Sequence, residues 1–243
     1  MPRELLFMAG LAAIAYFYSS VGHGGASGYL ALMALFGFAP DSLRMNALLM
    51  NLIVSAIAFF SFYRAGHLRI RKVLPFLVTS MPAAYIGAGI HIHPTAYKIT
   101  LGVFLIIAVL RMLITPKAKH LQVKDPPLMP SLLLGLLLGL VSGIIGIGGG
   151  ILLSPLLILA GYATTKQASA AAALFIFLNS LAGLSRLSCQ TQQLHWHLAY
   201  WLLMVLAGGI AGSASGSFYF TERGLTRMLS MVLLAASLKL FFF

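Results

Sequence analysis

Eight apolar stretches, at about 5–36, 45–63, 73–90, 97–114, 131–160, 168–185, 198–219 and 225–243, take up most of this 243-residue chain. A helix needs roughly 20 apolar residues to cross a hydrocarbon core, and each of the six shorter stretches fits one crossing. Only 8% of the residues are charged and the mean hydropathy is +0.97. A soluble domain averages about 25% charged residues and needs them on its surface. The chain therefore reads as an all-α polytopic membrane protein. A soluble enzyme, a disordered tail and a secreted disulfide domain are excluded. Cys189 has no second cysteine to pair with, which also removes redox relays and cysteine-based metal sites.

Sixteen Lys+Arg against four Asp+Glu give a net charge of +12. The cations do not gather on one soluble face, so no nucleic-acid partner is expected. They stand in short gaps between apolar runs, where lysine and arginine orient a membrane protein. The expected partners are the lipid bilayer and a small-molecule substrate, without a cofactor; a homo-oligomer stays admissible. Leu5 to Tyr18 behind Arg3 has the look of a signal peptide. It is also one copy of an internal element, and on that ground it is expected to be retained.

That element is half of the chain. Shifting by 124 superposes Gly22, Gly24, Gly25, Gly37, Ala39 and Ala47 on Gly146, Gly148, Gly149, Gly161, Ala163 and Ala171. Glycines in register at loop boundaries are hard to obtain by chance in apolar sequence. Between the halves runs Thr115 to Pro130, with three lysines and four prolines, a composition that cannot make a buried helix. The expected organisation is repeat 1 at 1–116, a linker at 117–130 and repeat 2 at 131–243, each repeat holding four apolar segments. Duplicated halves of this kind are typical of secondary transporters.

Segments one and five stand apart. Each is about 30 residues long, roughly 45 Å as a helix against a hydrocarbon core of about 30 Å. Each is interrupted at the same place, by Gly22-His23-Gly24-Gly25 and by Gly146-Ile-Gly148-Gly149-Gly150. Consecutive glycines do not lie on one helix face, so they predict a break rather than a packing seam. In lipid the freed backbone groups must face protein or a water-filled cavity, and glycine-interrupted segments at matching positions of two halves point to a transporter binding site. The second half-helices are expected to begin near Ser27 and Ser154. Their N-termini, facing each other, would cradle a small oxyanion without a buried cation. Gly135, Gly139 and Gly143, and likewise Gly208, Gly212 and Gly216, are spaced by four and read as close-packing faces.

Gly146-Ile-Gly-Gly-Gly150-Ile-Leu-Leu-Ser-Pro155-Leu-Leu157, followed by Lys166-Gln-Ala-Ser-Ala170, resembles the repeat signature of the sulfite exporter TauE/SafE family. The resemblance covers essentially the whole chain, with a weaker copy at Gly22-His-Gly-Gly25. It implies a multipass inner-membrane transporter of small sulfur-containing or organic anions, such as sulfite, sulfoacetate or thiosulfate-like species. Copy one departs from the signature: Ala26 replaces the third glycine, Ala31 stands where copy two has Pro155, and His23 fills the variable position.

Other polar residues inside apolar segments are candidates for lining the same path. Asn51 and Ser55, four apart, share a helix face, and Asn179-Ser180 holds the matching place in copy two. Interhelical hydrogen bonding is the competing role for them. His23 is the histidine that lies well inside an apolar segment; it either gates or couples transport through a proton, or is a satisfied structural histidine. Glu4, Asp41, Asp125 and Glu222 all fall at segment ends or loops, so carboxylate proton relays are absent from mid-membrane. The pairs His91/His93 and His195/His197 fit interfacial anchoring beside Trp196 and Trp201 better than metal binding, since no cysteine or nearby carboxylate completes a ligand set.

Charge counting is tied on the termini. One side holds eleven of sixteen Lys+Arg whether the broken segments cross once or fold back as re-entrant hairpins. Both arrangements put Arg64, Arg69, Arg71, Lys72 and the linker in the cytoplasm. Folding back makes the halves inverted repeats and sets two opposed breaks at one midplane site, which favours it.

Overall fold

The computed structural model describes residues 2–38, 40–90, 110, 123–146, 148–187 and 198–242. Among them run nine long α-helices and no strand. These are α1 (Pro2–Ser20), α2 (Ala26–Leu35), α3 (Pro40–Arg64), α4 (Ile70–Ala88), α5 (Leu128–Ile145), α6 (Gly150–Leu159), α7 (Thr165–Leu187), α8 (Leu198–Ala214) and α9 (Glu222–Phe242). A π-helical turn, Ser215–Tyr219, extends α8. Seven of the eight apolar stretches are helical to within a few residues of the expected bounds. The eighth, 97–114, lies outside the described residues except for Leu110. So do Cys189, the two histidine pairs, Trp196 and the linker up to residue 122. Among the described residues, Met45–Arg64, Thr165–Arg186 and Leu198–Tyr219 are long and apolar enough to cross a membrane.

The two long apolar stretches each split into a helix pair. α1 ends where Gly22 takes a φ of +76° and the His23 N–H donates to the Tyr18 carbonyl at 2.8 Å, a Schellman stop. A side chain at Gly22 would also run into the Ser169 backbone carbonyl, so both conformation and space require glycine there. α5 ends on Gly146, whose N–H donates to the Ser142 carbonyl at 2.8 Å. α2 and α6 are both ten residues long, and their bounds lie 124 positions apart (26 and 150, 35 and 159).

Neither pair continues straight on. α2 lies back along α1: Gly28 packs at Ile14 and Tyr18, Gly10 at Leu32, and the Phe36 ring sits 5.0 Å from that of Phe7 and under Arg3. α6 likewise returns to the start of α5, where the Lys124 N–H donates to the Gly161 carbonyl at 3.1 Å. In each pair the second helix therefore runs back beside the first.

Both glycine stripes are packing seams, as expected. Side chains at Gly135, Gly139 and Gly143 of α5 would strike the carbonyls of Phe76, Ser80 and Ala84 on α4, and those at Gly208, Gly212 and Gly216 would strike those of Ala12, Tyr16 and Ser20 on α1. Lipid tails are as apolar as leucine, so helices associate there through close van der Waals contact, which small residues permit. Residue numbers rise together along both seams, so α4 runs parallel to α5 and α1 parallel to α8. Each seam joins the first half of the chain to the second.

α3 and α7 run antiparallel through the centre. Leu184 packs on Met45 and Leu48, Ser180 meets Asn51, and the Phe177 ring stacks 6.5 Å from Phe59. At one end of the bundle the π-helical turn is gripped from several sides. The Ser217 carbonyl takes Lys166 Nζ at 3.3 Å and faces His67 Nε2 at 3.1 Å, while Ser217 Oγ pairs with Ser61 Oγ at 2.9 Å.

At the same end Lys72 Nζ lies 2.9 Å from Asp125 Oδ1, whose side chain is 87% exposed, and donates to the Val123 and Lys124 carbonyls as well. An exposed pair contributes about 0–1 kcal/mol. Asp125→Asn is therefore expected to shift unfolding in detergent by less than about 0.5 kcal/mol, because Lys72 keeps both carbonyls. A larger loss in a denaturation titration would give the carboxylate a role that this geometry denies it.

Candidate functional site at the two glycine breaks

The breaks lie against each other in the protein interior. Asn51, fully buried on α3, joins them: the Ala26 N–H donates to its Oδ1 at 3.0 Å, and its Nδ2 donates to Ser180 Oγ of α7 at 2.7 Å. Gly24 packs directly on the Asn51 amide oxygen. On the other face of the amide, a side chain at Gly148 would sit 2.8 Å from Asn51 Nδ2 and 3.1 Å from Ser180 Oγ. One asparagine thus holds the start of α2 and spans to the second break.

A second link is His23. The imidazole is 1% exposed, its Nε2 stands 3.0 Å from Ser154 Oγ on α6, and Nδ1 has no partner among the described residues. Ser154 Oγ also donates to the Gly150 carbonyl one turn back at 3.3 Å. On the first break, Ser27 Oγ pairs with the Tyr18 hydroxyl at 3.0 Å. A small cavity lies here, with room for roughly one water molecule, lined by Tyr18, His23, Gly24, Gly25, Ala26, Ser27, Ile151 and Ile176.

The expected site residues divide accordingly. Gly22, His23, Gly24, Gly25, Ser27, Asn51, Gly148, Gly149, Gly150, Ser154 and Ser180 come together around the two breaks. Gly146 caps α5 at the edge of the group. Ser55, buried one turn beyond Asn51, donates its Oγ to the Leu52 carbonyl of its own helix at 3.1 Å. Asn179 is buried on α7, and both amide atoms lack partners among the described residues.

Two details differ from expectation. The half-helices begin at Ala26 and Gly150, so Ser154 sits in the second turn of α6 rather than at its start. The first-turn donors of α2 are also not all open, because Asn51 already occupies the Ala26 N–H. That capping comes from another helix, 25 residues on, and no local signal marks it. Tyr18 and Ser169 belong to the site's surroundings without having stood out in sequence. Ser169 sits inside the Lys166–Ala170 motif, and its carbonyl is what Gly22 packs upon.

Buried donors, neutral hydroxyls and amides, and a helix start, with no lysine, arginine or carboxylate reaching them among the described residues, suit a small anion or a neutral hydrogen-bonding solute. Comparison with known proteins agrees with a transport role. A family model described as "Sulfite exporter TauE/SafE" matches residues 6–240. A protein described as "Probable membrane transporter protein y4hK", from Sinorhizobium fredii (strain NBRC 101917 / NGR234), is 36% identical over 237 residues, covering 94% of this chain and 96% of its own length. No solved structure matches.

Proposed function

Because this chain belongs to the sulfite exporter TauE/SafE family of membrane transporters, we propose that it carries a small sulfur-containing or organic anion, sulfite or a sulfonate- or thiosulfate-like species, across the inner membrane. The observation that carries this reading is the meeting of two glycine-broken helix pairs in the interior, joined by Asn51 and by His23 with Ser154. Substrate and coupling sites of secondary transporters are typically built from such discontinuous helices. Gly22, His23, Gly24, Gly25 and Ser27, with Asn51, Gly148, Gly149, Gly150, Ser154 and Ser180, are the proposed substrate surroundings.

The antiparallel run of α3 and α7, which occupy matching places in the two halves, supports inverted repeats with re-entrant pairs α1–α2 and α5–α6. The seams α1–α8 and α4–α5 then make each half pack its first helix on the other half's fourth, and rocking about these seams is the proposed route to alternating access. The cations support the proposed sidedness. Arg64, Arg69, Arg71, Lys72, Lys124 and Lys166 flank the helix ends that meet at Ser217 and Asp125, while Arg3 and Arg186 lie at opposite ends. By the positive-inside rule the 64–72 loop and the 117–130 linker face the cytoplasm.

Flux decides the reading. Vesicles loaded with radiolabelled sulfite or sulfonate should lose label faster with the reconstituted protein than without it. Flux that saturates and shows exchange with unlabelled anion marks a carrier, and flux that does neither marks a channel-like facilitator. If no anion moves while a catalytic or assembly defect follows mutation of His23, the transporter reading fails in favour of a membrane enzyme or assembly factor.

A further inference from the structure

We propose that Lys166 is the anion's station on the cytoplasmic side of the first break: its ammonium receives the substrate there and passes it inward past Ser169. This rests on the transport reading of the breaks and adds a charged contact to their neutral ones.

The place is set by a closed circuit of contacts. Lys166 Nζ donates to the Ser217 carbonyl at 3.3 Å. Beside Ser217, Gly216 packs on the Ser20 carbonyl at the end of α1. Two residues on, Gly22 opens the first break and packs on the Ser169 carbonyl. Ser169 follows Lys166 by three positions on α7, about 4.5 Å along the helix and on an adjoining face. The ammonium therefore borders the break, one helical turn toward the cytoplasm.

Its charge is uncompensated there. α7 has no acidic residue in its first turn, and the positive end of a helix disfavours a cation. That helix start is itself closed by a capping box: the Thr164 N–H donates to Gln167 Oε1 at 3.3 Å, and the Gln167 N–H to Thr164 Oγ1 at 3.4 Å. Among the described residues no carboxylate pairs with Lys166; Asp125, at the same end of the bundle, pairs with Lys72. Half-buried Lys166 thus spends one donor on a neutral carbonyl and leaves two to water or to an anion.

Releasing it costs little. The Ser217 carbonyl lies in the last turn of its helix, where an intrahelical donor is lacking, yet two side chains serve it. When the ammonium turns to an anion, His67 Nε2–H at 3.1 Å keeps that carbonyl satisfied. The Ser61 and Ser217 hydroxyls are already spent in a relay that ends on the Ser213 carbonyl, so the ammonium is the donor that remains. Inward of it, Ser169 Oγ is fully buried without a partner among the described residues. That hydroxyl is the next contact for an anion moving toward the break.

The test measures ³⁵S-labelled sulfite uptake into inside-out and right-side-out membrane vesicles carrying the full-length protein. Lys166→Gln keeps an N–H for the Ser217 carbonyl and loses the charge, so a merely structural lysine would tolerate it. Its KM should rise about fivefold or more from the cytoplasmic face, because a charge-assisted hydrogen bond is lost. The KM from the other face should stay within about twofold of wild type. Any other pattern, an unchanged KM or an equal rise from both faces included, overturns the station. Wild-type vesicles that move no sulfite overturn the transport reading itself. Should Lys166→Gln fail to fold, carbamylation of the wild-type protein by cyanate, itself a small anion, replaces it. Sulfite should slow modification of Lys166 at least about threefold, read by peptide mass spectrometry, and leave exposed Lys124 unaffected. Equal modification with and without sulfite, or a Lys166 that cyanate does not reach, overturns the proposal.

Discussion

Replacing Gly148 by leucine is expected to abolish transport while leaving the protein in the membrane. Gly148 has a φ of +78°, a conformation that costs an L-residue about 1–2 kcal/mol. Its missing side chain leaves room for three others: a Cβ there would lie 2.7 Å from Ile176, 2.8 Å from Asn51 Nδ2 and 3.1 Å from Ser180 Oγ. Leucine must therefore push the Asn51 amide away, and that amide is what holds the first N–H of α2 and the hydroxyl of Ser180. The damage reaches the first break although the substitution is in the second. Insertion should survive, because leucine only adds to the hydropathy that the insertion machinery reads. The measurement is vesicle flux, with membrane fractionation and gel filtration confirming a folded protein. Flux within twofold of wild type would remove the breaks from the transport path. Gly183→Ala is the control: it sits on the same helix as Ser180 with nothing within 4 Å of its Cβ position. It should keep full flux and gain up to about 1 kcal/mol from helix propensity.

Gly139→Leu should produce the largest loss of stability. A Cβ there would overlap the Ser80 carbonyl and lie 2.7 Å from its carbon, which belongs to the backbone of α4 and cannot rotate away. The helices must separate, and the close packing that this opens is shared with Gly135 and Gly143 on one side and Gly87 on the other. Overpacking a well-fitted site costs about 1–3 kcal/mol, and leucine against backbone belongs at or above the top of that range. α4 precedes the linker and α5 follows it, so the seam that opens joins the two halves. Denaturant titration in detergent should show an earlier transition for Gly139→Leu, with Gly139→Ala intermediate. Unchanged unfolding of the leucine variant would mean that the seam is not a stability element.

Much of this was legible in residues taken one at a time. Hydropathy places seven apolar stretches to within a few residues of the helices they form, because water or lipid contact is a local property of each side chain. Gly22 and Gly146 announce breaks, since consecutive glycines neither share a packing face nor resist leaving the helix. The four-spaced glycines announce seams for the opposite reason. Asn51 was visible as a polar residue in an apolar helix, but not its partners. The Ala26 N–H is 25 positions away and Ser180 is 129, and an amide with two donors and one acceptor suits many neighbours equally. Ser55 shares a helix face with Asn51, but its hydroxyl is satisfied on the carbonyl three residues back, as a serine in a helix can be. Ser154 looked like a helix start because a serine often is one; here Gly149 and Gly150 make the turn.

Sequence alone thus determined the environment, the presence of two breaks and the glycines that must stay bare, for these follow from the hydropathy and backbone freedom of single residues. Only the tertiary structure decided that α2 and α6 fold back, that each seam joins opposite halves, and that Asn51 and His23 link the two breaks. The direction a chain takes after a glycine depends on what it then packs against. Here that surface belongs to the other half of the molecule.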